Sequence, residues 1–296
     1  MTSVKYRMFE KLVASKRTRE HLKNRNPSAR SAPAKPKNSS NVLVENRNIE
    51  GFDCYRFRHR EKSGRYGVLY LYGGGFINPA SKADFEICRG IVENTSAEVW
   101  ALMYPLFPEY TMAETVKIAL AGYLSLREKF DRVLVFGFSS GACLALYLCE
   151  YIRHENLGFP MPDRLILNSP LLQLPPSESQ MRMINELDKL DLCIPKEFFY
   201  PEGLTGMMIE AEAEDNRYLS RVLDSDLTGF PEIHLFYGTN ECASAYLNDM
   251  KRCCAKYSVP LYVYMFEGMM HCWGLRDMYP EGTETQQIYF SLLDRE

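Results

Sequence analysis

The sequence predicts an α/β fold in which one mostly parallel sheet carries helices on both faces. Three observations point to it. Short, largely apolar segments such as GVLYLY, EVWALM, RVLVF and LYVYMF recur along the chain. Longer segments with helical periodicity separate them, and strands that are apolar on both faces belong to sheets covered on both sides. Apolar residues make up 46% of the chain and charged residues 25%, ordinary for a protein with a large buried core. At 296 residues the chain suits a single α/β unit with an insertion.

The elements follow in order. Residues 1–41 form an N-terminal helical segment and a linker. Tyr6, Met8, Phe9, Leu12 and Val13 fit one face of a helix, and residues 26–41 are rich in Pro, Ser and Lys. Val42–Val44 and Phe52–Phe57 read as an antiparallel strand pair around Asn48–Gly51. Then come a strand at Gly67–Tyr72, a helix at Asp84–Asn94, a strand at Glu98–Met103 and a long helix at Met112–Phe130. A strand at Arg132–Phe136, a helix at Ser140–Arg153 and a strand at Arg164–Leu167 complete the first part of the core, residues 42–172. Residues 173–215 interrupt this rhythm with Pro175-Pro176, a helical pattern of Met183, Ile184, Leu187 and Leu190, and a second helical piece near Met207–Glu212. The core resumes over 216–296 with a strand at Glu232–Tyr237, a helix at Ala243–Lys256, a strand at Leu261–Phe266 and a closing helix at Glu284–Leu293, with Thr283 as N-cap.

Charge and cysteine usage narrow the function classes. A net charge of -3 gives no reason to expect nucleic acid or an anionic membrane as partner. Residues 1–40 hold eleven Lys/Arg and two Glu, or +9, which leaves -12 for the rest. A transit peptide or electrostatic anchor would account for that basic start; a solvated helix packed across the core accounts for it with the apolar face as well. The short first apolar stretch is broken by charges, and no run reaches the ~20 residues of a membrane span. Nine scattered cysteines fit a reduced, cytoplasmic protein with buried thiols, and the five histidines do not sit near a cysteine pair at zinc-finger spacing, so no metal is expected.

One constellation carries chemistry. Gly137-Phe138-Ser139-Ser140-Gly141 follows the strand RVLVF and opens the helix ACLALYLCEYI. That strand–turn–helix context exposes a serine hydroxyl at a helix N-terminus, where the dipole favours developing negative charge. Serine needs an adjacent base. His21 lies in the N-terminal helix, His59 in an early strand, His154 at the far end of the helix after the serine, and His234 inside a strand. His271 alone lies in a loop past the carboxyl end of a strand. The base needs an orienting carboxylate. Glu241 is the first acid past the strand EIHLFY, with Asp249, further along the next helix, in reserve. Gly73-Gly74-Gly75 directly follows GVLYLY, and three bare backbone units can bring amides close to a substrate oxygen. The phosphate-loop patterns are absent. On the side of the sheet where these residues gather, 173–215 reads as a cap; a decoration away from the site is the alternative.

With these residues in hand, the sequence resembles the hormone-sensitive-lipase-like family of α/β-hydrolase esterases and lipases. Tyr72-Gly73-Gly74-Gly75-Phe76 is similar to the family's HGGG loop, Tyr104-Pro105-Leu106-Phe107-Pro108-Glu109 to YRLAPE, and Gly137-Phe138-Ser139-Ser140-Gly141-Ala142 to GDSAGG. Ser169-Pro170, Gly238-Thr239-Asn240-Glu241 and His271-Cys272-Trp273 match its later motifs in order, from about residue 42 to 275. The resemblance implies an α/β-hydrolase fold with an eight-stranded, mostly parallel sheet, a helical cap made from the N-terminal segment and the insertion, no cofactor, and oxyanion donors at the amides of Gly74, Gly75 and Ser140. Three departures stand out: Tyr72 for the family's histidine, Phe138 for the Asp before the nucleophile, and Glu241 for the more usual Asp.

The expected activity is carboxylic ester hydrolysis through an acyl-enzyme, with Ser139 as nucleophile, His271 as base, Glu241 as its orienter and short acyl chains preferred. The partner is then a small-molecule ester, and a homodimer is compatible with this reading. Deacetylation of acetylated sugars or xenobiotics is the same chemistry on another leaving group. A non-catalytic ligand-binding module on the same fold is the third class, and it has no physical need for an intact Ser, Glu, His and glycine loop.

Overall fold

The computed structural model describes residues 2–15, 19 and 32–295. Its strands are β1 (Val42–Ile49), β2 (Phe52–His59), β3 (Tyr66–Leu71), β4 (Ala97–Leu102), β5 (Val133–Phe138), β6 (Arg164–Asn168), β7 (Glu232–Gly238) and β8 (Leu261–Phe266). They form one sheet in the order β1-β2-β4-β3-β5-β6-β7-β8. Only β2 runs against the others, pairing antiparallel with β1 and β4. This is the α/β-hydrolase architecture. Every residue of β3, β4, β5 and β6 is buried, so both faces at the sheet's centre are covered. Their largely apolar sequences are the consequence, with Glu98, Arg164 and Asn168 as the buried polar exceptions.

The helices are α1 (Val4–Ser15), α2 (Lys82–Asn94), α3 (Met112–Arg127), α4 (Ser140–His154), α5 (Glu178–Leu187), α6 (Leu204–Glu210), α7 (Leu247–Lys256) and α8 (Pro280–Asp294). Local chemistry sets their ends. Ser81 with Asp84, and Thr111 with Glu114, form capping boxes at α2 and α3. Among the described residues no helix is long and apolar enough to cross a membrane.

Several elements differ from the sequence reading. Strand β1 runs on to Ile49 rather than Val44, because Glu45–Asn48 pair along the β2 ladder although they are polar. Arg56 of β2 bridges Glu45 at 3.0 Å and Glu98 of β4 at 2.7 Å. The two-residue turn has φ +50° at Glu50 and +95° at Gly51, the primed geometry that fits a twisted hairpin. Helix α3 stops at Arg127, and Phe130 folds back beside Gly67, where a Cβ would lie 2.9 Å from its ring. The expected helix Ala243–Lys256 is a 3-10 turn over Cys242–Tyr246 followed by α7. Helix α8 starts at Pro280, not after Thr283, because proline is pre-set for the first helical position. The Thr283 hydroxyl instead donates to the Asp277 and Tyr279 carbonyls.

Two apolar stripes are only partly buried. On α1, Tyr6 is buried and Phe9 and Val13 pack beside the core, whereas Met8 and Leu12 face outward. In the insertion, Ile184 is buried and Leu187 packs, while Met183 and Leu190 are exposed. His21 and residues 26–31 of the expected linker lie outside the described residues.

Register brings the functional loops together. Leu71 aligns with Gly137, Phe138 with Asn168, Asn168 with Phe236, and Gly238 with Phe266. The segments leaving β3, β5, β6, β7 and β8 therefore emerge side by side at the carboxyl edge, where open α/β sheets bind ligands.

Candidate active site

Ser139 sits in the tight turn between β5 and α4 with φ +50° and ψ -121°, a conformation costly for a residue with a side chain. Its amide donates to the Asn168 carbonyl at 2.8 Å, and its carbonyl accepts from Cys143 at 3.0 Å. The flanking glycines are required by close approach. A Cβ at Gly137 would stand 2.6 Å from the Gly141 oxygen, and one at Gly141 would stand 2.0 Å from the Leu71 oxygen. Phe138, the departure from the family's Asp, is buried against Phe136 at 5.1 Å and Tyr289 at 5.9 Å between ring centroids. A carboxylate among these rings would be desolvated.

The structure brings Ser139, His271 and Glu241 into one hydrogen-bonded chain. His271 Nε2 lies 2.8 Å from Ser139 Oγ, and His271 Nδ1 lies 2.7 Å from Glu241 Oε2. A carboxylate accepts only, so the ring carries its proton on Nδ1 and leaves Nε2 to accept from the serine. Glu241 is fully buried; its Oε1 accepts the Gly238 amide at 2.6 Å and the Ser169 hydroxyl at 3.0 Å. Burial pushes the Glu241 carboxyl up, opposed by His271 and the Gly238 amide. Burial also disfavours the His271 imidazolium, but contacts with Cys272 and the Glu241 carboxylate overcome it and hold the imidazole above its ordinary range. Each group's charge is penalised by the dry surroundings and eased by the other's presence.

The glycine loop lies against the serine. A Cβ at Gly73 would be 3.3 Å from Ser139 Cβ. Gly74 has φ +138°, and a Cβ there would press the Asn78 oxygen at 2.6 Å. The Gly74 carbonyl closes the turn by accepting from Ile77 at 3.2 Å and Asn78 at 3.0 Å. Among the described residues no backbone acceptor takes the amides of Gly74, Gly75 or Ser140. Tyr72, in place of the family's histidine, braces the loop from below. Its ring stacks on Tyr104 with centroids 4.2 Å apart, and the Tyr104 hydroxyl donates to the Tyr72 carbonyl at 2.7 Å. The same hydroxyl lies 3.3 Å from Ser140 Oγ.

Asp249, the reserve acid, is not at the base. It sits on α7 and accepts from Gln180 Nε2 at 2.6 Å, with Arg252 on its other oxygen. His59, His154 and His234 stay in or at the end of β2, α4 and β7. The sequence marks Ser169 only as part of the Ser169-Pro170 motif. Its hydroxyl ties the Glu241 carboxylate to the Cys272 amide, accepting from the latter at 3.1 Å, and so joins the acid turn to the base loop. Its position just past the end of β6 was the available signal. Asp191 and Tyr6 also reach this region, and no local pattern marks either.

A geometry of this kind can deliver a hydroxyl to an electrophilic carbon while a neighbouring base takes its proton. A family model described as alpha/beta hydrolase fold matches residues 68–275. An acetyl-hydrolase from Streptomyces hygroscopicus is 25% identical over 229 residues, 75% of this chain and 73% of that protein. A triacylglycerol lipase from Mycobacterium tuberculosis is 31% identical over 134 residues, 44% of this chain and 30% of that protein. The crystal structure of an esterase from the bacterial hormone-sensitive lipase family superposes with a TM-score of 0.78 at 19% identity, covering 96% of this chain and 97% of that one. With its fold and that family match in agreement, the chain belongs to the α/β-hydrolase family.

Proposed function

We propose that this protein is a carboxylic ester hydrolase working through an acyl-enzyme, with Ser139 as nucleophile, His271 as general base and acid, and Glu241 as the residue that orients and charges the base. The observation that carries the reading is the continuous chain from Ser139 Oγ to His271 to the buried Glu241, at 2.8 and 2.7 Å. In the first half-reaction His271 Nε2 takes the hydroxyl proton as Ser139 Oγ bonds to the ester carbon. The resulting oxyanion accepts hydrogen bonds from the amides of Gly74, Gly75 and Ser140, and each such donor is worth roughly 10²–10³ in turnover. His271 then gives its proton to the departing alcohol. Water repeats the sequence on the acyl-enzyme and releases the acid.

Residues 1–41 and 173–215 act as the cap in this reading, and 42–172 with 216–296 as the core. The insertion supports a closed pocket: its Phe198 ring would lie 3.9 Å from a Cβ at Gly75, directly beside the glycine loop. A ring in that place limits room, and burying a methylene stabilises by ~0.8 kcal/mol only where there is space for it. Short acyl chains, roughly C2–C6, follow from that argument. Deacetylation of a sugar or xenobiotic ester is the second reading, favoured by the likeness to an acetyl-hydrolase. The nine free cysteines, seven of them buried, support a reducing, cytoplasmic setting. Hydrolysis of p-nitrophenyl esters from acetate to laurate tests the proposal: activity on the short members supports it, and strong interfacial activation on emulsified long-chain triglycerides would make the cap a lipase lid instead.

A further inference from the structure

The two segments expected to cover the site each end a hydrogen bond on a backbone amide next to a reactive residue. On α1, Tyr6 is fully buried, and its phenol oxygen accepts the Met270 amide at 2.7 Å, one residue before His271. Its ring is held edge-on against Tyr279, with centroids 5.1 Å apart. In the insertion, Asp191 is fully buried. Its Oδ1 accepts the amides of Cys193 and Ile194 at 2.7 and 2.9 Å, and its Oδ2 accepts the Cys242 amide at 2.7 Å, one residue after Glu241. The thiol of Cys242 sits between the Ile184 and Ile194 carbonyls, at 3.8 and 3.6 Å. Arg19, from the N-terminal segment, reaches the Asp191 carbonyl at 2.5 Å.

These contacts come from outside the sheet and land on the two turns whose placement decides the reaction. A carboxylate held by three amides is a strong and directional anchor. A misplacement of about 1 Å at a reacting group can lower a rate roughly 10²-fold. We propose that Tyr6 and Asp191 are positioning residues, Tyr6 fixing the His271 loop from α1 and Asp191 fixing the Glu241 turn from the insertion. The covering segments then complete the reactive geometry as well as enclosing it. The inference rests on the ester-hydrolase reading above.

The test uses the full-length chain with Tyr6→Phe and Asp191→Asn. Phenylalanine removes the acceptor for Met270, and asparagine can turn an N–H toward the Cys242 amide. Val13→Ala, on the same α1 stripe but without a bond to the base loop, is the comparison. Two quantities are read, with the active fraction counted by label titration. They are kcat and KM on p-nitrophenyl butyrate, and the rate at which a small fluorophosphonate labels Ser139. The expected result is a kcat lowered roughly ten-fold with KM within about two-fold of the parent, and labelling slowed in parallel. Val13→Ala should lose thermal stability yet keep the parental kcat. Parental kcat in both variants, or a rise in KM alone, would overturn the inference and leave Tyr6 and Asp191 as packing groups. If Asp191→Asn yields no folded protein, Asp191→Glu, which keeps the charge but misplaces it, is held to the same criterion. A parent chain that neither hydrolyses ester nor takes label would count against the ester-hydrolase reading itself.

Discussion

Glu241 Oε2 lies 2.7 Å from His271 Nδ1, inside a pocket that leaves the carboxylate fully buried. The second oxygen is occupied by Gly238 and Ser169, so the carboxylate cannot rotate away from the ring without breaking two bonds. Glu241→Gln keeps the shape and removes the charge, and its amide can present an N–H to the imidazole and invert the tautomer. We expect kcat/KM on p-nitrophenyl acetate to fall by roughly 10³–10⁴, the scale seen when a triad acid is neutralised. Asp249→Asn, with its side chain on Gln180 and Arg252, should stay within a few-fold of the parent in the same assay.

The pH profile reports the same contact. His271 must be neutral at Nε2 to act as base. Burial lowers its affinity for a proton, but Cys272 and the Glu241 carboxylate outweigh that and raise it. The acid limb of kcat/KM should therefore lie above the ordinary imidazole value of about 6.5. In Glu241→Gln any residual activity should show this limb displaced to lower pH. A parental limb at or below the ordinary value would mean that burial wins over the carboxylate.

Gly141 predicts a stability effect with no chemistry in it. A Cβ there would lie 2.0 Å from the Leu71 oxygen and 2.4 Å from the Tyr72 oxygen, both rigid backbone. Gly141→Ala should cost about 3 kcal/mol or more in urea unfolding, at or beyond the upper end of ordinary overpacking. Gly51→Ala, with φ +95° but no atom within 4 Å, should cost only about 1 kcal/mol.

Phe198 predicts specificity. If its ring bounds the acyl pocket beside Gly75, Phe198→Ala should move the preferred p-nitrophenyl ester to longer chains. The gain per added methylene should approach ~0.8 kcal/mol, up to about four-fold in kcat/KM, until the new space is filled. An unchanged chain-length profile with uniformly lower activity would show that the ring only supports the fold.

Much of this was legible in the sequence, and the physical reason is the same throughout. The central strands are buried on both faces, so their apolar runs mark them directly. The strand–turn–helix context points to Ser139, elimination among five histidines to His271, and the place just past β7 to Glu241, and the structure sets these three side chains in one hydrogen-bonded row. These are positions that the topology forces to one edge of the sheet. Periodicity was less informative at the surface. It shows which residues could share a face, not how far the core extends around the helix, so Met8, Leu12, Met183 and Leu190 fit the apolar patterns and yet lie outside. The apolar signal of β1 stops at Val44 because hairpin pairing tolerates the polar residues that continue the strand. The contacts of Tyr6 with Met270 and of Asp191 with Cys242 join residues 264 and 51 apart, and no local pattern encodes them.

The most direct measurement is fluorophosphonate labelling of the parent chain and of Ser139→Ala, read by peptide mass spectrometry beside p-nitrophenyl butyrate hydrolysis. Among the described residues the Ser139 side chain hydrogen-bonds to His271 Nε2 alone, at 2.8 Å, so the variant should fold as the parent does. A single label is expected on Ser139 in the parent, and in Ser139→Ala a folded protein with neither label nor measurable turnover. Label or turnover persisting in Ser139→Ala would contradict this assignment and place the nucleophile on another residue.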